Sequence, residues 1–235
     1  MVLRHVFLDF GNTLVREVPS RFEIYAQAAR GHGVKIHEDE MRTLMIRAHE
    51  ALPSEIDGAW RYTDPWFRSY IRLIFGDELA LAPDDWGAFQ QQLFARFADP
   101  DTFQLFTGFE QLVDAIRAEG LGLGLISNWS PRLPGLLHSL GLEDVFDPVV
   151  CSAIERIEKP SPGIFHLALE RAGVPAEACL HAGDHPDKDC RAARDVGLRT
   201  VLVDHADELG SDSGPHHRVT SLEQLKDHLL ELAVR

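Results

Sequence analysis

Cysteine is scarce in this chain of 235 residues. Cys151, Cys179 and Cys190 are odd in number, widely spaced and form no Cys-x-x-Cys pair. That pattern excludes a disulfide scaffold and fits the reduced, mostly buried thiols of a cytoplasmic protein. Positive charge is also in short supply: 23 Lys+Arg against 37 Asp+Glu leaves a formal charge of −14, with no basic run. Such a surface repels polyanions, so nucleic acid is not an expected partner. An enzyme of this charge acting on anions would need local positive charge from a metal ion or a few placed Lys and Arg. No apolar run is long enough to span a bilayer. Met1-Val2-Leu3-Arg4-His5 leads straight into a strand rather than a signal peptide. A soluble, cytoplasmic protein without a membrane partner is therefore expected. No internal repeat or low-complexity segment is present. Length allows one large domain, or a core domain with an insert.

What is present is concentrated in Val6-Phe7-Leu8-Asp9-Phe10-Gly11-Asn12-Thr13-Leu14. An apolar run delivers a carboxylate to the end of a strand, and a tight polar turn follows. From residue 105 to 204 strands and helices alternate. Thr107-Gly108-Phe109-Glu110 has capping-box spacing and opens a helix through Ala118. Leu121–Ile126 is a buried strand ending in Ser127-Asn128, and Ser130-Pro131 provides a cap and a first-turn proline for the next helix. Strands follow at Val149–Cys151, Ala178–Ala182 and Thr200–Val203, with helices over 161–172 and 189–196. This alternation predicts an α/β fold, a doubly wound parallel sheet. Residues 15–100 carry helical periodicity, many aromatics and no convincing strand; too long for a loop, they are expected to be an inserted α-helical cap domain. The expected division is thus 1–14 with 101–235 as the core and 15–100 as the cap. His205–His217 is expected to be a loop before a final amphipathic helix capped at Thr220-Ser221.

Asp9, Ser127, Lys159, Asp184 and Asp189 fall at or just beyond strand ends or a helix start, where an open parallel sheet gathers its functional groups into one crevice. Asp9, Asp184 and the Gly11 carbonyl are hard oxygen ligands suited to Mg²⁺. Lys159 and the Ser127 hydroxyl are suited to holding phosphoryl oxygens and developing charge. Four blocks carry a resemblance: Leu8-Asp9-Phe10-Gly11-Asn12-Thr13-Leu14, Leu125-Ile126-Ser127-Asn128, Lys159-Pro160-Ser161-Pro162-Gly163-Ile164-Phe165, and His181-Ala182-Gly183-Asp184 through Asp189 to Ala193 and Gly197. The chain resembles the haloacid dehalogenase-like hydrolase superfamily, with a helical cap inserted after the first block. The resemblance implies a Rossmann-like core with its first and fourth strands adjacent, an aspartyl intermediate on Asp9, and phosphoryl binding by Ser127 with Asn128 beside it. It further implies a steadying Lys159, a hydrogen bond from Thr13 within the first turn, and Mg²⁺ held by Asp9, Gly11 and Asp184, with Asp189 direct or through water. The implied substrate is a small phosphorylated metabolite.

One position departs from the pattern. Phosphatases of this kind carry a second Asp where this chain has Gly11, and that residue protonates the leaving alcohol and later activates water. Losing a positioned acid costs about a hundred- to ten-thousand-fold in rate. Three readings stay open: a slow or leaving-group-selective phosphatase, borrowing an acid from the cap or His185; a 2-haloacid dehalogenase, whose halide needs no proton; or a non-catalytic binder of a phosphorylated ligand or a protein. The Asp184 block argues for a metal and so against the dehalogenase, which works without one. Among the remaining residues, His185 is expected to be a solvent-facing loop histidine, and Asp187 and Asp195 surface charges. His216-His217 has no further ligands nearby. The cap aromatics are expected to be helix-packing core, with Arg61 a candidate reader of an anion. Oligomeric state is open.

Overall fold

Strand β1 (His5–Leu8) is buried at all four positions, as a strand covered on both faces of a parallel sheet must be. It is joined by β2 (Gly122–Ser127), β3 (Val149–Cys151), β4 (Cys179–Gly183), β5 (Arg199–Val203) and β6 (His217–Val219). The computed structural model describes residues 2–209 and 217–233. The strand order is β6-β5-β4-β1-β2-β3, and each described pairing is parallel. The five expected strands are all present, and the first and fourth are neighbours. The sixth was not foreseen: His217-Arg218-Val219 has no apolar run to mark it, and it pairs with Val201–Val203 at the sheet edge. Residues 210–216 of the expected loop, His216 among them, lie outside the described residues.

By contact the chain divides into two units: Met1–Arg16, Leu105–Trp129 and Leu133–Arg235 form one, and Glu17–Gln104 with Ser130–Arg132 the other. In the first unit the helices include Phe109–Ala118, Pro162–Ala172 and Leu222–Ala233. Ser161 and Gly173 bound the second of these, Gly173 in the left-handed conformation at φ 64°. Three expected boundaries are corrected. The helix at Phe109 is capped by Gly108 at φ 91°, a backbone that favours glycine, and no side chain caps it. The helix after Ser130-Pro131 starts only at Leu133. The helix expected from Asp189 begins earlier, as a π-helical turn over Pro186–Arg191 that passes into Ala192–Asp195. His185 caps that turn, its Nδ1 accepting from the Asp187 and Lys188 amides at 3.2 and 3.3 Å.

The second unit packs helices Arg21–Gly31, Glu38–Ala51, Asp64–Ile71 and Trp86–Ala98, with a π-helical stretch over Arg72–Glu78. It also holds two antiparallel two-residue strands, Glu55–Ile56 and Ala59–Trp60, too short to leave a period in the sequence. Its aromatics are mostly core: Tyr25 stacks on Phe75 at 5.6 Å and Trp66 on Tyr70 at 5.4 Å, all four buried. All three cysteines are buried thiols outside any disulfide. Among the described residues no helix is long and apolar enough to cross a membrane.

β2 carries glycine at 122 and 124 because rings from β1 lie across it. A Cβ on Gly122 would fall 2.1 Å from His5 Nδ1, and one on Gly124 2.7 Å from Phe7 Cδ1. His5 is buried against Phe7 at 4.4 Å, and its Nε2 has no hydrogen-bond partner among the described residues. Burial, opposed by the charge of Asp147, pulls its pKa down to about 4. A histidine whose folded pKa lies below its unfolded value contributes full stability above the unfolded pKa of about 6.5, and loses it as pH falls towards the folded value. Stability is therefore expected to drop by about 3 kcal/mol between pH 6.5 and 4 on this account. Denaturant unfolding of the wild type and His5→Phe across that range checks it: the variant should show a shallower slope, and parallel curves would refute the assignment.

Candidate active site

The sheet register builds the site. Leu8 pairs with Leu125 on one side and Ala182 on the other, so Asp9 stands level with Ile126 and Gly183, and its amide donates to the Ala182 carbonyl at 2.9 Å. Beyond Asp9 the chain turns tightly: the Leu14 and Val15 amides return to the Phe10 carbonyl at 2.9 and 3.0 Å, and Asn12 takes φ 58°. Asn12 Nδ2 lies 3.4 Å from Asp184 Oδ2, and Thr13 Oγ1 lies 3.4 Å from Asp9 Oδ2.

Lys159 is the centre of the cluster. Its buried ammonium donates to Asp9 Oδ1 at 2.6 Å, Asp189 Oδ1 at 2.5 Å and the Ile126 carbonyl at 3.0 Å, so all three N–H groups are engaged. Ser127 Oγ donates to the same Asp9 oxygen at 3.1 Å. Asn128 does something other than expected of a phosphoryl-side amide. Its side chain clamps the main chain of Lys159, Nδ2 donating to the Lys159 carbonyl at 2.9 Å and Oδ1 accepting from the Lys159 amide at 2.8 Å. Asp189 is held by further groups: His181 Nε2 donates to Oδ1 at 2.9 Å, and the His185 amide donates to Oδ2 at 3.1 Å. A Cβ on Gly183 would fall 2.3 Å from Asp189 Cγ, so a glycine is what lets this carboxylate enter.

The electrostatics follow from burying three carboxylates beside one ammonium. Burial pushes the Asp9 carboxyl up; Asp189 adds to this and Lys159 opposes it. Asp184 is pushed up to about 7, by burial and then by the charges of Asp9 and Asp189. Asp189 goes the other way: burial would raise it, but Lys159 and the His181 hydrogen bond hold it well below the usual carboxylate range. Burial also works against the Lys159 ammonium, yet Asp189 and Asp9 outweigh it and keep its pKa above the ordinary lysine value. One ligand oxygen from each of Asp9, Asp184 and Asp189 can be chosen so that all lie within 4.8 Å of one another. An all-oxygen donor set of three crowded carboxylates, in which burial and then the charges of Asp9 and Asp189 raise Asp184, fits a hard divalent cation.

Asp9, Gly11, Thr13, Ser127, Asn128, Lys159, Asp184 and Asp189 all belong to the first unit. Arg61 belongs to the second, where Nη2 donates to the Leu52 carbonyl at 2.8 Å and the guanidinium lies over Trp66 at 5.5 Å. His185 is half-buried as a helix cap rather than a solvent-facing loop residue. Burial lowers its pKa. Two residues were missed as participants. His181 reads in the sequence as one more member of a strand, and only its contact with Asp189 marks it. Asn12 is marked only by its left-handed backbone.

Residues 3–197 match the family described as haloacid dehalogenase-like hydrolase. Haloacid dehalogenase-like hydrolase domain-containing protein 3 of Danio rerio is 30% identical over 233 residues, covering 97% of this chain and 96% of that protein. Phosphoserine phosphatase of Thermus thermophilus is 27% identical over 221 residues, covering 86% and 89%. Among solved structures, YfnB of Bacillus subtilis, bound to magnesium, has a TM-score of 0.76 at 17% identity, with 98% of this chain and 100% of that one covered. At that identity the likeness is one of fold.

Proposed function

This chain belongs to the haloacid dehalogenase-like hydrolases, and within that family we propose that it is a Mg²⁺-dependent hydrolase of small phosphate monoesters acting through an aspartyl-phosphate on Asp9. The observation that carries the reading is the orientation of Asp9. Lys159 and Ser127 both bind Oδ1, while among the described residues Oδ2 has only the long Thr13 approach at 3.4 Å. A carboxylate pinned by one oxygen presents the other for attack.

In this mechanism Asp9 attacks phosphorus, the bond to the leaving oxygen breaks, and water then cleaves the aspartyl-phosphate to restore the carboxylate. Lys159 and Ser127 keep the nucleophile aimed and stabilise negative charge as it moves onto phosphoryl oxygens. Asn128 holds Lys159 at its backbone, and Asp189 holds it at the ammonium. Mg²⁺ held by Asp9, Asp184 and the Gly11 carbonyl, with Asp189 direct or through water, would offset repulsion between the carboxylate and an anionic substrate. The second unit is the proposed cap domain, the part of the chain that would admit substrate and exclude water.

Gly11 limits the first step, because it has no proton to give the leaving oxygen. An aryl phosphate, whose phenoxide leaves unaided, is therefore expected to turn over about 10²- to 10⁴-fold faster than an alkyl phosphate in the presence of Mg²⁺. Steady-state kinetics on the two esters, with and without chelator, make the test. Chelator-insensitive turnover would overturn the metal, and equal rates would mean that another group supplies the acid. A second reading, 2-haloacid dehalogenase, is favoured by Gly11 itself, since a halide leaves without a proton. Halide release from a 2-haloacid with no phosphate release from either ester would select it.

A further inference from the structure

His181 is fully buried in β4, with the Phe165 ring edge-on at 5.3 Å. The Nε2 that faces the Asp189 carboxylate carries its hydrogen, since a carboxylate only accepts. The other ring nitrogen, Nδ1, is buried and has no hydrogen-bond partner among the described residues. A buried polar atom without a partner costs stability, so packing alone would favour an apolar side chain between Leu180 and Ala182. The histidine is explained by what Nε2 holds. Asp189 Oδ1 receives both His181 and Lys159, and the Lys159 ammonium is directed from that oxygen onto Asp9 Oδ1.

We propose that His181 is a positioning residue for the nucleophile. Its Nε2–H fixes the Asp189 carboxylate, Asp189 fixes the Lys159 ammonium, and the ammonium aims Asp9. This deepens the reading of Asp9 as the attacking group and rests on it. With His181 removed, Asp189 keeps the His185 amide on Oδ2 but is free to swing about that bond, and the ammonium follows it. Gln at this position returns an N–H at a similar reach from the backbone, whereas Leu fills the space without one.

The test compares His181→Leu and His181→Gln in the full chain. His181→Leu is expected to lower kcat on an aryl phosphate about 10- to 100-fold, the effect of a small misplacement of a reacting group. KM should stay close to wild type, and His181→Gln should recover most of kcat. A second readout does not depend on turnover. The chain has four lysines, at 35, 159, 188 and 226. A buried ammonium with three acceptors exchanges slowly enough to give a ¹H–¹⁵N signal, which Lys159→Met identifies by removing it. That signal should persist in His181→Gln and broaden or vanish in His181→Leu. An unchanged signal with unchanged kcat in His181→Leu would overturn the proposal. So would equal losses in both variants with a collapsed melting temperature, which would mark a packing role. Should the wild type hydrolyse neither ester while the ammonium signal follows the expected pattern, the positioning role is supported and the hydrolase reading fails.

Discussion

Asp9→Asn is expected to lower aryl phosphate hydrolysis by about 10⁴-fold or more and, in metal-free buffer at neutral pH, to raise the melting temperature. The activity loss follows from removing the proposed nucleophile; a residual rate near that of the wild type would mean that a contaminating phosphatase is being measured. The stability gain follows from the direction of the Asp9 shift. Burial, with Asp189 adding to it, raises the folded pKa above the unfolded one. A carboxyl so shifted is less favourably ionised in the folded chain, so at neutral pH its charge costs stability, and a neutral amide of the same shape removes that cost. Lys159 keeps Asp189 at 2.5 Å as its counter-ion in the variant. Adding Mg²⁺ should reverse the order, because a ligand that binds only the folded state stabilises it in proportion to its occupancy, and the variant has lost a carboxylate ligand. Thermal melts of both proteins with and without Mg²⁺ test this. A variant that melts lower in metal-free buffer would show that Asp9 serves Lys159 as a structural partner more than it repels Asp184 and Asp189.

That opposition between stability and chemistry explains which parts of the site were legible in the sequence. Asp9, Ser127 and Asp184 each close an apolar strand, and a polar residue at the end of such a run has no packing reason to be there. Lys159 sits among Glu155, Arg156 and Glu158 and would pass for a solvated charge; its cis-linked Pro160 neighbour and the clamp from Asn128 belong to three dimensions. The second layer was not legible. His181 is buried like the apolar residues around it, and the hydrogen bond that distinguishes it spans eight positions into a π-helical turn. The same holds for the fold. Five strands were marked by apolar runs, while β6 and the pair Glu55–Ile56 and Ala59–Trp60 are too short or too polar to leave a period. The cap at Gly108 was misplaced onto Thr107 because side-chain spacing shows a capping box, but only the backbone shows a φ of 91°.

Gly11→Asp should make the larger gain, raising kcat on an alkyl phosphate by about 10²- to 10⁴-fold while changing the aryl phosphate much less. The backbone at residue 11 suits a residue with a side chain. Gly11 is half-buried and is not among the residues with positive φ. Its backbone bridges to Val15 within a turn already closed by the Leu14 and Val15 amides. The metal reading asks only for the carbonyl of residue 11, so the substitution should leave Mg²⁺ affinity close to wild type. An aspartic acid two residues beyond Asp9 adds a fourth carboxyl near Asp9, Asp184 and Asp189, where burial and then the charges of Asp9 and Asp189 already push Asp184 up to about 7. The new acid should be raised in the same sense, and so stay protonated long enough to serve a leaving alkoxide. The discriminating quantity is the aryl-to-alkyl ratio, measured with Mg²⁺ in both proteins. A ratio that collapses towards one would mean that the missing proton is what separates this chain from an efficient phosphatase. A ratio that stays put, with Mg²⁺ binding intact, would mean that the chain does not depend on an acid at residue 11, and that its substrate carries a leaving group able to depart as an anion.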